Sequence, residues 1–142
     1  MTDKSRVTFL IVDDDSVAVM AIKRTLRKLR LTNPVEVARD GQEALDLLQG
    51  NGISPIKKPY IILLDLNMPR MSGLEFLAVV REDKELANSV VFVLTTSDAP
   101  SDIAAAYRHK IAGYIVKENA SETISTAISM LDSYTEIVSF DK

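Results

Sequence analysis

Five short runs of apolar residues recur along the chain, and polar residues and a stretch with helical periodicity separate each run from the next. Most of these runs are apolar at every position, which favours strands buried on both faces over strands with one solvent-exposed face. The runs are Val7–Val12, Val35–Ala38, Tyr60–Leu64, Val90–Leu94 and Gly113–Val116. Strands that alternate with helices in this way predict a parallel sheet covered by helices on both faces.

The segments between the strands carry the start signals of helices. Ser72 with Glu75, and Asp40 with Glu43, have the spacing of a capping box, and Pro100 suits the first turn of a fourth helix. Core-facing stripes are predicted at Ala18, Ile22, Leu26 and Leu29 in the first helix and at Leu74, Leu77 and Ala78 in the third. The chain has no linker or internal repeat, so the pattern predicts one doubly wound α/β domain over residues 1–142.

Composition and charge narrow the class of protein. With 46% hydrophobic and 26% charged residues among 142, the chain has the balance of a globular protein with a sizeable core. It has no cysteine, which excludes disulfides and thiolate chemistry and fits a reducing compartment. The net charge of −3 argues against a nucleic-acid partner, and the apolar run Val7–Val12 is too short to span a membrane. We therefore expect a cytoplasmic protein that binds neither nucleic acid nor membrane.

Polar side chains collect where the predicted strands end. Asp13 and Asp14 follow the first strand, Asp65 follows the third, Thr95 the fourth and Lys117 the fifth. In the strand order 2-1-3-4-5, one of the two common doubly wound orders, these four strands are neighbours and the second strand lies at the edge. Ligands of such sheets bind outside the carboxyl ends of the strands, so these side chains are predicted to form one site.

The residue types at these positions indicate phosphate and metal chemistry. Three carboxylates in one place repel one another and need a cation, and with no cysteine and a single histidine the oxygen ligands favour Mg²⁺. The ammonium of Lys117 and the hydroxyl of Thr95 suit phosphoryl oxygens. Phosphoryl transfer depends mainly on alignment and charge neutralisation, so this set is sufficient for it. A carboxylate that takes the phosphoryl group would form a covalent acyl phosphate.

Four motifs, in this order along the chain, resemble the receiver domain of two-component response regulators. They are VDDDS after the first strand, LLDLNMPRMSG around the third, VLTTS at the fourth and GYIVK at the fifth. The resemblance runs from about Val7 to Leu131 and implies the flavodoxin-like receiver fold, a five-stranded parallel sheet of order 2-1-3-4-5. It also implies that Asp65 accepts a phosphoryl group from a histidine kinase or a phosphotransfer protein.

The resemblance further implies a Mg²⁺ site, a switch and a lysine that contacts the phosphoryl group. The metal ligands would be Asp13, Asp14, Asp65 and the backbone carbonyl of Asn67, the switch residues Thr95 and Tyr114, and the phosphate-contacting residue Lys117. The chain departs from the family at Glu118, where receivers usually have proline after a cis peptide bond; without proline such a bond costs roughly 2.5–4 kcal/mol. We expect a signalling phosphoacceptor rather than an enzyme, at most assisting its own phosphorylation and dephosphorylation.

Two other functions compete with this interpretation. In a small phosphatase of the haloacid-dehalogenase type, Asp13 would be the nucleophile and Asp15 the acid–base residue. Against that function, Asp65 is the best-placed carboxylate, and 142 residues leave no room for a cap domain. A degenerate receiver would only bind partners, but the intact acidic set argues against it. Taken singly, Asp15 is a helix cap, and Thr95 and Lys117 are ordinary strand and surface residues; the phosphoacceptor interpretation rests on the agreement of all four strand ends.

The end of the chain provides the remaining expectations. A fifth helix is predicted after Asn119, and residues 132–142 beyond it contain the apolar Tyr134, Ile137, Val138 and Phe140. So short a remainder predicts a stand-alone receiver that signals through protein contacts. The tail resembles the extended C-termini of phytochrome-associated single-domain regulators, which implies a phytochrome kinase as donor. The tail either folds back on its own sheet or forms a two-fold homodimer with the fourth helix, fifth strand and fifth helix, and we expect the homodimer.

Overall fold

Five parallel strands form the centre of the protein. A computed structural model describes residues 7–28, 30–52 and 55–117. The strands are β1 (Thr8–Val12), β2 (Val35–Ala38), β3 (Tyr60–Leu64), β4 (Val90–Thr95) and β5 (Gly113–Val116). All five predicted strands are confirmed, although β1 begins one residue later and β4 ends one residue later than the sequence pattern indicates.

The strands are joined in the order β2-β1-β3-β4-β5, and every neighbouring pair is parallel. This confirms the predicted doubly wound fold and strand order. The register places Val12 beside Ala38 on one side and beside Leu64 on the other. The residues that follow Val12 and Leu64 therefore emerge at the same level of the carboxyl edge.

Four helices connect the strands within the described residues. They are α1 (Ser16–Lys28), α2 (Gly41–Gln49), α3 (Gly73–Glu82) and α4 (Pro100–Arg108). Each lies where the sequence predicts a helix, and none of them is long and apolar enough to cross a membrane. The predicted fifth helix after Asn119, the apolar tail 132–142 and the peptide between Lys117 and Glu118 lie outside the described residues.

The side chains of the strands alternate between two hydrophobic clusters, one on each face of the sheet. One cluster contains Leu10 and Ile62 and includes residues of α2, α3 and α4. The other contains Phe9 and Ile61 and includes residues of α1. Because neighbouring positions of a strand point to opposite faces, burial of both faces explains why β1, β3 and β4 are apolar at nearly every position.

The predicted stripes of two helices are confirmed in part: Ile22, Leu26 and Leu77 are buried as predicted, but the buried face of each helix is shifted. The buried residues are Val19, Ile22 and Leu26 in α1 and Gly73, Phe76, Leu77 and Val80 in α3. The predicted Ala18, Leu74 and Ala78 are only half-buried, and the predicted Leu29 lies outside the described residues. Spacings of three and four residues describe two adjacent helix faces equally well, and the face with the larger apolar area packs inward. Val19 and Phe76 bury more apolar surface than the alanines, which accounts for the rotation.

Polar side chains cap the first turns of α1, α2 and α3. The carboxylate of Asp15 accepts a hydrogen bond from the N–H of Val17 at 2.9 Å, which confirms its predicted capping role at α1. The predicted capping box of α2 is half formed. Asp40 accepts from the N–H of Glu43 at 2.8 Å, but the carboxylate of Glu43 accepts from the N–H of Arg39 instead of that of Asp40.

Gly73 brings the start of α3 close to the end of β3. A Cβ at this position would lie 2.6 Å from the carbonyl oxygen of Asp65 and 2.6 Å from Leu66 Cα, so a larger residue would require the backbone to move. The N–H of Gly73 donates to the carbonyl of Leu66 at 2.9 Å. The predicted capping box of Ser72 and Glu75 is complete in both directions. The β3–α3 loop, residues 65–72, is therefore closed at its base.

Candidate functional site

Three aspartates meet at the carboxyl edge of β1 and β3. Asp13 and Asp14 follow β1 and Asp65 follows β3, and one carboxylate oxygen from each lies within 4.8 Å of the other two. The N–H of Asp13 donates to the carbonyl of Ala38, and the N–H of Asp65 donates to that of Val12, both at 2.9 Å. The parallel register thus brings together acidic residues that lie 51 and 52 positions apart in the sequence.

Lys117, directly after β5, is the cation of this cluster. Its Nζ lies 2.6 Å from Asp13 Oδ2 and 3.7 Å from Asp65 Oδ2. One ammonium group against three carboxylates leaves an excess of negative charge. Asp13 and Asp65 are buried, whereas Asp14 is exposed. Burial raises the pKa of the Asp13 carboxyl, and hydrogen bonds from Lys117 and from the N–H of Asp15 oppose that effect.

The donor set fits a hard divalent cation. In the described part of the chain, the cluster contains carboxylates and neither cysteine nor histidine, and carboxylate oxygens are preferred ligands of Mg²⁺. A divalent cation would balance the charge that Lys117 leaves uncompensated. A groove of about 500 Å³ reaches the cluster at Asp13 and Asp14 and is also lined by Lys23 and Arg39. The charge, ligand type and access of the site therefore all agree with the predicted metal.

Asn67 lies in the β3–α3 loop, two residues after the phosphoacceptor candidate. The residue is exposed, and its N–H donates to Asp65 Oδ1 at 3.3 Å. This hydrogen bond ties the loop backbone to the carboxylate of Asp65. The use of the Asn67 carbonyl as a metal ligand stays a prediction.

Thr95 and Tyr114 lie on the neighbouring strands β4 and β5 and contact the same residue. Thr95 is fully buried, and its hydroxyl accepts from the N–H of Ser97 at 3.4 Å. Tyr114 is half-buried, and its hydroxyl donates to the carbonyl of Ser97 at 2.8 Å. Burial raises the pKa of the Tyr114 hydroxyl, so the group stays protonated and able to donate. The two predicted switch residues are therefore connected through the β4–α4 loop.

Ser97 is the residue of this site that sequence reasoning missed. Its hydroxyl donates to Asp102 Oδ2 at 2.5 Å, and Asp102 lies in the first turn of α4. The N-cap of α4, Ala99, has no capping side chain, so the contact between Ser97 and Asp102 fixes the start of that helix. The sequence carries no signal for the Ser97 carbonyl, because a carbonyl contact does not depend on residue type.

The arrangement also bears on the phosphatase alternative. Asp15, which would be the acid–base residue of such an enzyme, is exposed and accepts hydrogen bonds from the N–H groups of Val17 and Ala18 at the start of α1. In this position its carboxylate caps the helix instead of joining Asp13 and Asp65. The geometry therefore favours a site centred on three strand ends over one centred on β1 alone.

Comparison with known proteins identifies relatives of the same architecture. A family model of the response regulator receiver domain matches residues 9–129. The probable methanogenesis regulatory protein FilR2 of Methanothrix harundinacea is 33% identical over 128 residues, which cover 88% of this chain and 81% of FilR2. Response regulator Rcp1 of Synechocystis is 28% identical over 137 residues, which cover 94% of this chain and 93% of Rcp1.

Solved structures agree with these matches. The Mn²⁺-bound form of Rcp1 superposes with a TM-score of 0.76 at 26% identity, over 90% of this chain and 93% of that one. The phosphorylated cyanobacterial phytochrome response regulator RcpA superposes with a TM-score of 0.77 at 29% identity, over 94% of both chains. The sheet order and the polar strand ends described above thus occur in a chain that is similar to response regulators along most of its length.

Proposed function

Because the chain belongs to the family of response regulator receiver domains, we propose that Asp65 is the residue that accepts the phosphoryl group. Receiver domains are phosphoacceptors in two-component signalling, and their donors are proteins such as histidine kinases. The observation that supports Asp65 is its position. It is buried at the end of the central strand β3, within 4.8 Å of carboxylate oxygens of Asp13 and Asp14 and 3.7 Å from the ammonium of Lys117.

In the proposed reaction, a carboxylate oxygen of Asp65 attacks the phosphorus atom of a phosphohistidine on the donor protein. An O–P bond forms and the N–P bond breaks, and the electron pair of the broken bond returns to the imidazole nitrogen, which takes up a proton. The product is an acyl phosphate on Asp65 and a free histidine on the donor. Lys117, 3.7 Å from the Asp65 carboxylate, supplies positive charge for the phosphoryl oxygens.

Asp13, Asp14, Asp65 and the backbone carbonyl of Asn67 would hold Mg²⁺. When bound, the ion neutralises charge on the phosphoryl oxygens during transfer. The acidic cluster and its open groove support this assignment, as does the similarity to Rcp1, whose structure is known in a Mn²⁺-bound form. Within the chain, Asp13 divides its contacts between Lys117 and the N–H of Asp15, which fixes the orientation of its carboxylate.

We further propose that phosphorylation acts on Thr95 and Tyr114. A phosphoryl group on Asp65 would add acceptor oxygens that the Thr95 hydroxyl can reach, and Thr95 would move towards them. Because Thr95 and Tyr114 both contact Ser97, such a movement would change the position of Tyr114 and favour its inward packing. This is a population shift between two packings, driven by contacts that exist in only one of them.

The remaining proposals concern partners and organisation. Similarity to RcpA supports a phytochrome kinase as the donor. A single receiver domain over residues 1–142 is supported by matches that span 93% of Rcp1 and 94% of RcpA. We also propose a homodimer, with the apolar tail as part of its interface, and a cytoplasmic location.

Intact-protein mass spectrometry after incubation with acetyl phosphate tests the central proposal. With Mg²⁺ the protein should gain one phosphoryl group, and with a chelator it should gain none. Asp65→Asn should stay unmodified, whereas Asp15→Asn, which keeps a capping side chain at α1, should be modified like the wild type. Equal labelling of Asp65→Asn and the wild type would contradict the assignment of Asp65.

A further inference from the structure

The outer part of the β3–α3 loop is attached to the start of α2. Arg70 Nη2 donates to Asp40 Oδ2. Beside this ion pair, the side chain of Met71 packs on Gly41, where an added Cβ would lie only 2.6 Å from the sulfur. The loop that begins at Asp65 is therefore held at its base by Gly73 and at its outer end by α2.

The carboxylate of Asp40 has a fixed orientation in this ion pair. The residue is buried, and each of its carboxylate oxygens has a partner: Oδ1 accepts from the N–H of Glu43 at 2.8 Å, and Oδ2 accepts from Arg70. The hydrogen bond from Glu43, with a smaller contribution from Arg70, lowers the pKa of the Asp40 carboxyl, so it is charged at neutral pH. The fixed end of the ion pair thus belongs to α2.

Arg70, the other partner of the ion pair, has an unfavourable backbone conformation. Its φ is +65°, which is uncommon for a residue other than glycine, and the N–H of Met71 donates to the carbonyl of Pro69 at 2.7 Å across it. Its side chain is 77% exposed, so burial does not force it against Asp40. Strained residues persist where surrounding contacts determine their conformation, and they cluster at functional sites. The ion pair is one such contact.

We propose that Arg70 is a positioning residue for the metal site: its ion pair with Asp40 fixes the β3–α3 loop and thereby the place of the Asn67 carbonyl. This inference rests on the proposed function, because it assumes that the carbonyl is a metal ligand. Asn67 lies three residues before Arg70, and its N–H is bonded to Asp65. The segment from Asp65 to Arg70 is thus tied at one end to the phosphoacceptor and at the other to α2.

The sign of the effect on metal affinity distinguishes positioning from simple electrostatics. Removing a positive charge near a cation site strengthens cation binding through Coulomb's law. Removing a residue that orients a ligand weakens it, typically about 10–100-fold for outer contacts of metal sites. Arg70→Asn removes the charge and the ion pair and leaves a residue type that tolerates positive φ. If Arg70 positions the loop, this variant therefore binds the metal more weakly despite the gain from electrostatics.

The test is titration of the full chain with Mn²⁺, with free Mn²⁺ measured by electron paramagnetic resonance. Mn²⁺ prefers oxygen ligands as Mg²⁺ does. We expect Arg70→Asn to weaken binding about tenfold. Arg39→Asn is the matched control, since Arg39 is exposed and lines the groove beside Asp13 and Asp14. It should bind Mn²⁺ as tightly as the wild type or slightly more tightly.

Asp40→Asn completes a double-mutant cycle, because asparagine keeps the cap of α2 and loses the charge of the ion pair. In the Asp40→Asn background, Arg70→Asn should cause no further weakening. Thermal unfolding of each variant checks that it is folded, and Arg70→Lys, which keeps the charge without the fork of donors, should fall between wild type and Arg70→Asn.

Three outcomes would overturn the inference. The first is that Arg70→Asn binds Mn²⁺ as tightly as the wild type or more tightly. The second is that Arg70→Asn weakens Mn²⁺ binding equally in the wild-type and the Asp40→Asn backgrounds. The third is wild-type protein that binds no Mn²⁺, which would also remove the metal from the proposed function. The first two outcomes leave the proposed function intact, because they occur in a protein whose wild type binds the metal.

Discussion

The three aspartates of the acidic cluster differ in their exposure to solvent. Asp13 is buried and already paired with Lys117, and Asp65 is buried beside the same ammonium group. Asp14 is exposed and lines the groove that leads to the cluster. A cation that enters from solvent therefore meets Asp14 with its carboxylate uncovered, whereas Asp13 must share its oxygens with Lys117.

This difference predicts the effect of substitutions on Mg²⁺ binding. Asp14→Ala should weaken Mg²⁺ binding by more than about tenfold, since it removes a proposed direct ligand and not an outer contact. Asp15→Ala is matched in charge and neighbouring in sequence, but it removes the cap of α1 and should have a smaller effect on the metal. Calorimetric titration measures both affinities. The reverse order would show that the positional assignment of the ligands is wrong by one residue.

A substitution of Thr95 tests the proposed coupling between phosphorylation and Tyr114. Thr95→Ala should still be phosphorylated but should lose the response of Tyr114, because the hydroxyl that connects the phosphoryl group with the β4–α4 loop is absent. Thr95→Ser, which keeps the hydroxyl, is the control. NMR of fluorine-labelled tyrosine reports the environment of Tyr114 before and after phosphorylation. A response of Thr95→Ala equal to that of the wild type would remove Thr95 from the switch.

At the scale of elements, sequence reasoning succeeded where the determining interactions are local or repeated. Apolar runs predicted all five strands, most clearly β1, β3 and β4, which are buried on both faces. Ser72 with Glu75 predicted a complete capping box because the motif lies within four residues. Sequence reasoning was only partly right for the stripes of α1 and α3, since periodicity does not decide between adjacent faces of a helix. It also missed Ser97 and the ion pair of Arg70 with Asp40, because these contacts join loops whose meeting depends on the assembled sheet.

Arg81 is another contact that only the folded structure reveals. It lies at the end of α3, and its guanidinium group donates to four backbone carbonyls. The acceptors are His109 at 2.6 Å, Ser89 at 2.7 Å, Ala87 at 2.9 Å and Lys110 at 3.1 Å. Arg81 thereby joins three elements, since these carbonyls belong to the segment before β4 and to the turn after α4. Burial lowers the pKa of Arg81, which records the cost of desolvating its charge.

We predict that Arg81→Met lowers the free energy of unfolding by about 2–3 kcal/mol. Hydrogen bonds to a charged group contribute about 1.5–3 kcal/mol each, and the desolvation of the guanidinium offsets part of their sum. Arg108→Met removes an exposed arginine at the end of α4 and should change stability by less than about 0.5 kcal/mol. Urea unfolding measures both variants. Equal stability of the two would contradict the joining role of Arg81.

In the whole molecule, the two edges of the sheet carry different groups of polar residues. The carboxyl edge carries the acidic cluster and the proposed switch residues Thr95 and Tyr114, and the amino edge carries the contacts of Arg81. The proposed switch residue Tyr114 lies on β5, the outer strand of the sheet, and Tyr107 on the neighbouring helix α4 is 50% exposed. An association through the face formed by α4 and β5 would therefore be sensitive to the position of Tyr114.

The proposed homodimer would use this face together with the apolar residues of the tail. Deletion of residues 134–142 should weaken the dimer, because it removes Tyr134, Ile137, Val138 and Phe140 from the interface. Multi-angle light scattering at micromolar concentration, with and without phosphorylation, measures the effect. A full-length chain that is monomeric in both states would contradict the homodimer and leave the tail as local packing.

The most direct test of the central claim is the position of the phosphoryl group in the wild-type protein. After incubation with acetyl phosphate and Mg²⁺, borohydride reduction converts an aspartyl phosphate to homoserine, which peptide mass spectrometry then locates. We predict homoserine at position 65 and at no other aspartate. Homoserine at position 13 would contradict the assignment of Asp65 as phosphoacceptor and favour a phosphatase with Asp13 as its nucleophile.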